Sequence, residues 1–64
     1  MRSGPTHEVK GFGLQGELLL HTWHIGESSK DIELAAWKRR MARGEVSRVE
    51  VLDLATHHTT TIYA

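Results

Sequence analysis

Apolar and polar positions divide the chain into five patterned stretches. From Glu8 to Leu14, Val9, Phe12 and Leu14 alternate loosely and are interrupted by Gly11 and Gly13. That is the pattern of a weak strand, at a sheet edge or bulged. Gln15-Gly16 suits a hairpin turn, because glycine tolerates positive φ. Glu17 to Ile25 carries Leu18, Leu19, Leu20, Trp23 and Ile25 and predicts a second strand, ended by Gly26.

The third stretch is helical. Ser28 and Ser29 suit N-cap positions, and Asp31 stands three residues after Ser28 in the manner of a capping box. Neither proline nor glycine occurs from Ile32 to Arg43, and Gly44 sits where a helix stops. At 100° per residue, Leu34, Trp37 and Met41 fall within about 60° of one another and define the core-facing stripe. Glu27, Asp31 and Glu33 crowd the helix start, while Lys38, Arg39, Arg40 and Arg43 crowd its end, which complements the macrodipole. Val46 to Leu54 then predicts a strand through Val49, Val51, Leu52 and Leu54. Ala55 to His58 fits either a turn or a continuation of that strand. Thr59 to Tyr63, rich in β-branched and aromatic types, predicts a last short strand.

The order is therefore β-β-α-β-β, a single small α+β domain over residues 8–64 preceded by a flexible N-terminus at 1–7. A helix between Ile25 and Val46 predicts a right-handed crossover joining parallel strands, with hairpins adding the outer two. The result is a mixed sheet with one helix on one face. Both inner strands carry apolar residues at odd and even positions, as strands of a doubly covered sheet do. One helix covers one face only. The remaining face predicts a homodimer, with Leu18, Leu20, Trp23, Ile25, Leu52 and Leu54 as interface residues. The competing reading is a bulge near Leu52 that returns every apolar residue to the helix side.

Size sharpens this expectation. Sixty-four residues hold one domain and bury only about 60% of the unfolded surface, so small domains commonly add disulfides, a metal or a partner. The chain has no cysteine, which excludes disulfides, thiol nucleophiles and thiolate metal sites and agrees with a cytoplasmic setting. Eight basic residues balance eight acidic ones, and no apolar run reaches the ~18 residues of a membrane span.

Candidate chemistry is sparse. Gly11-Phe12-Gly13-Leu14-Gln15-Gly16 spells G-x-G-x-x-G, but that motif cradles a pyrophosphate only when a helix follows it, and Glu17 to Leu20 continues as strand. It reads as a glycine-relaxed hairpin. Among the five histidines, His21 and His24 are three apart, a separation that points side chains to opposite faces of a strand. His57-His58 meets the same objection unless it forms a turn. No metal ligand set and no cofactor are therefore expected, and Ser28 and Ser29 read as caps rather than nucleophiles. Lys38, Arg39, Arg40 and Arg43, extended by Arg48, form a basic face that suits anion or nucleic-acid binding. The even charge balance argues against a dedicated nucleic-acid binder. The sequence thus predicts a non-enzymatic homo-oligomeric interaction module acting on a protein partner, with nucleic acid bound by the basic helix face as the alternative.

Overall fold

A computed structural model describes residues 6–63. Strands β1 (His7–Phe12) and β2 (Leu18–Ile25) form a hairpin, helix α1 (Glu27–Ala42) follows, and β3 (Arg48–Asp53) and β4 (His58–Tyr63) form a second hairpin. The α+β class, the single helix and the element order are those the sequence predicts. The four strands make one sheet in the order β2-β1-β3-β4, and every neighbouring pair is antiparallel. This corrects the mixed pairing. β2 and β3 do run parallel to each other across the helical connection, but β1 lies between them and takes one edge of each.

Of the two expectations for β1, an edge strand or a bulged one, that position corrects the first, while its pairing with β2 does carry two register shifts. Its glycine, Gly11, does not mark a margin; it makes room. A Cβ on Gly11 would lie 2.1 Å from Cη2 of Trp37, so the indole rests directly on the strand backbone. Trp37 is the centre of a core completed by Val9, Val46, Val49 and Val51, with Ile25, Leu34 and Met41 packed against it. Leu34, Trp37 and Met41 are the stripe set by helical periodicity.

The flexible segment expected at 1–7 lies largely outside the described residues, which begin at Thr6. Thr6 and His7 are nevertheless tied in. The Thr6 N–H donates to the Ile25 carbonyl, the Leu54 N–H donates to the Thr6 carbonyl, and His7 opens β1. Ala55 to His57 is a turn, with His57 at φ 59, and His58 begins β4.

Helix α1 ends as predicted but starts differently. Gly44 has φ 77, its N–H donates to the Met41 carbonyl, and the Glu45 N–H donates to the Arg40 carbonyl, which completes a Schellman cap. At the other end Gly26, not Ser28 or Ser29, is the N-cap, with φ −79, ψ 176 and no side-chain cap bond. Ile25 is held in the sheet, so the helix begins at the next opportunity and the two serines fall in its first turn. Nothing lies within 4 Å of a Cβ built on Gly26. Gly26→Ser should therefore stabilise the domain by about 0.5–1 kcal/mol, through a hydroxyl that accepts the orphan N–H groups and a less flexible unfolded chain. In thermal denaturation this is a rise of roughly 4–8 °C per kcal/mol; an unchanged or lowered midpoint would contradict the cap geometry.

Candidate functional site

The two sheet faces are set by register. Val9 and Gly11 of β1, Val49 and Val51 of β3, and Thr60 and Ile62 of β4 share the helix side. Glu8, Lys10, Phe12, Arg48, Glu50, Leu52, Thr59 and Thr61 share the far side. β2 departs from simple alternation twice. Leu19 is an extra residue between the pairs Gly11↔Leu20 and Phe12↔Leu18, and Glu8 alone faces both Trp23 and His24. Each bulge resets which side the chain presents.

These bulges explain why β2 is apolar at both parities, and they correct the predicted interface. Leu20 and Ile25 lie on the helix side opposite Gly11 and His7, and Ile25 packs against the core. Leu18 and Leu52 lie on the far side, and Leu54 sits in the turn after β3. The six residues do not share a face. The far face is not an apolar sheet surface either, because Glu8, Lys10, Arg48 and Glu50 occupy its middle. The bulge that reorganises the faces lies in β2 rather than near Leu52. Exposed apolar side chains gather instead along β2, where Leu18, Leu19 and Leu20 are about half exposed and Trp23 is 63% exposed. Leu19 and Leu20 also border a recess of about 330 Å³ shared with Trp37, Arg40 and Val46.

The second bulge places two histidines together that a regular strand would separate. His24 adopts φ 49, and the Nε2 atoms of His21 and His24 each stand 3.1 Å from a different oxygen of Glu8. A carboxylate only accepts, so the His21 imidazole donates to it, while His24 stands at ion-pair distance from the second oxygen. Trp23 stacks on His21 with ring centroids 3.7 Å apart. Glu8 and His21 are largely buried while His24 is exposed, which makes the cluster a polar pin between β1 and β2. No group of three or more histidine or acidic side chains among the described residues is arranged to hold a metal ion.

The predicted basic face is dispersed. Arg40 lies 4.7 Å over the Trp37 ring, and Arg43 Nε pairs with Glu45 Oε2 at 3.1 Å. Arg48 does not extend the helix face. It lies on the far side of the sheet, 4.0 Å over the Phe12 ring and paired with Glu50 at 3.2 Å. Lys38 and Arg39 are exposed and make no ion pair among the described residues.

Another concavity lies elsewhere. Helix α1 packs mainly on β1 and leaves the helix side of β4 open. Between them runs a groove of about 600 Å³ lined by His7, Lys30, Leu34, Val51, Asp53, Thr56, His58, Thr60 and Ile62. Asp53 organises one end. Its Oδ1 accepts the N–H groups of Ala55 and Thr56, and those bonds hold its carboxyl below the usual 3.8. Its Oδ2 stands 3.7 Å from His7 Nε2, whose other nitrogen lies 2.7 Å from Thr6 Oγ1. Sequence reading missed this groove. Alternation of His58, Thr60 and Ile62 was its local signal, but which strand the helix leaves bare is decided by sheet order.

Compared with known proteins, the chain matches no family model, no curated protein and no solved structure. No helix among the described residues is long and apolar enough to cross a membrane.

Proposed function

We propose that the chain is a non-enzymatic protein-interaction module that works as a homo-oligomer, with the apolar run of β2 as its self-association surface. The observation that carries this reading is the exposure of Leu18, Leu19, Leu20 and Trp23 along the single edge strand β2, where Leu19 and Leu20 border a recess shared with Val46 and Trp37. Large apolar groups clustered at a surface gain most from a partner that excludes water, and tryptophan is enriched among the residues that dominate such contacts. The two bulges distort the outer edge of β2, so association there rests on side chains more than on strand-to-strand hydrogen bonds. The basic helix end is the weaker surface for recognition, since Arg40 and Arg43 already have partners within the fold and Arg48 lies on the far side of the sheet.

Sedimentation equilibrium at micromolar concentration tests the proposal, with twice the chain mass expected. Leu19→Lys and Trp23→Ala each remove a group that is already exposed, so the fold should persist by circular dichroism. Association should weaken by at least about thirtyfold, the equivalent of a 2 kcal/mol contact. A wild-type chain that stays monomeric throughout, or a dimer indifferent to both substitutions, contradicts this assignment.

A further inference from the structure

The groove between α1 and β4 is shaped as a half-finished site. Its floor is Val51 and Ile62, its back wall is Leu34 with Lys30 above it, and its front side is the free edge of β4. β4 pairs with β3 through six consecutive positions, Arg48↔Tyr63 to Asp53↔His58, without a shift in register. Its sequence, HTTTIY, contains neither lysine nor proline. Proteins blunt free edges with bulges, inward charges and prolines, and β2 at the opposite margin carries two bulges. β4 carries none of these devices.

We propose that an extended segment of a partner protein adds to β4 as a fifth strand, placing an apolar side chain over Leu34, Val51 and Ile62 and a carboxylate beside Lys30. This deepens the reading of the chain as a module acting on a protein partner and rests on it. Strand addition supplies main-chain hydrogen bonds, while alternate side chains of the added strand enter the groove and give selectivity.

Charge decides what the segment carries. The carboxylate of Asp53 is occupied by the Ala55 and Thr56 N–H groups and faces His7. Lys30, by contrast, has only a 3.6 Å contact with the exposed carboxylate of its neighbour Asp31. Its ammonium is the cationic donor left to an incoming group, with the Thr56 and Thr60 hydroxyls and the His58 ring beside it, so an acidic side chain or a chain-terminal carboxylate matches the site. The same reasoning selects against a second copy of this chain at this edge. Pairing β4 with another β4 brings in histidine, threonine, isoleucine and tyrosine side chains, none of them acidic.

The test is selection from a phage-displayed library of random 12-residue peptides on the full chain, immobilised through its N-terminus. Peptides with an apolar residue near an acidic one should be enriched, and one such synthetic peptide is then titrated by fluorescence anisotropy. Thr60→Lys fills the groove and Lys30→Glu reverses its charge; each should weaken binding by about tenfold or more, the value of a charge-assisted hydrogen bond. Thr59→Lys, on the opposite face of the same strand, should leave it unchanged. Three results overturn the proposal: no enrichment, enrichment without acidic residues, or binding insensitive to both groove variants. Peptide binding lost only in Leu19→Lys moves the partner site to β2, which removes this proposal while keeping the interaction-module reading.

Discussion

Trp37→Ala should leave the chain mostly unfolded at room temperature. Trp37 is 1% exposed and is, among the described residues, the only large side chain in a buried core otherwise made of Val9, Val46, Val49 and Val51. Truncating a buried tryptophan costs about 3–5 kcal/mol, through lost burial and the cavity left behind. A single core in a domain below ~70 residues rarely supplies more than about 3–5 kcal/mol in all. The loss and the reserve are of the same size, so the folded fraction collapses. Amide dispersion in a two-dimensional NMR spectrum reads this directly. Ile32→Ala, on the same helix but at a position 71% exposed, should stay within about 0.5 kcal/mol of the parent. A Trp37→Ala chain that still melts cooperatively within a few degrees of the parent would show that the stability lies elsewhere, in an assembly of copies for example.

The same tryptophan shows how far a sequence can be read. The helix was legible because its signals are local: the Leu34, Trp37 and Met41 stripe, the run free of glycine and proline, and Gly44 in the left-handed region at its end. Even there the start was misplaced, because the cap depends on where the sheet releases Ile25. The central position of β1 was not legible. Gly11 and Gly13 weaken a strand considered alone, and only the indole arriving from α1 turns a missing side chain into a packing advantage. β2 gave a true signal that admitted two meanings. Apolar residues at both parities from Leu18 to Leu20 fit a strand covered on both faces, and equally a bulge at Leu19 that exchanges the faces. The second bulge, at Trp23 and His24, undoes the parity argument that separated His21 from His24, since a left-handed residue at His24 brings both rings to Glu8. The groove was the least accessible feature. Its residues come from β1, α1, β3 and β4, and they meet only because β1 enters the middle of the sheet and draws α1 away from β4.

Gly11→Ala should damage the domain almost as severely as loss of the indole, and a second substitution should repair it. The added methyl would sit 2.1–2.4 Å from Cη2, Cζ2 and Cζ3 of Trp37, far inside van der Waals contact. Gly11 is not among the residues with positive φ, so alanine meets no backbone strain and the whole cost is steric. Overpacking of this kind costs about 1–3 kcal/mol or more when neither neighbour can yield. Here one neighbour is the backbone of a strand paired on both sides and the other is a ring enclosed by the core. Trp37→Phe withdraws the outer ring atoms that collide with the methyl. It also removes the indole Nε1, which is buried without a hydrogen-bond partner, so part of what phenylalanine loses in volume is offset by the orphan donor it eliminates. The pair Gly11→Ala and Trp37→Phe should therefore be more stable than Gly11→Ala alone, a coupling of about 1–3 kcal/mol of the kind a double-mutant cycle resolves. Urea denaturation of the four chains measures it. Additive effects would mean that the glycine serves the strand for a reason other than the ring above it, and the account of β1 as a strand opened for Trp37 would fail.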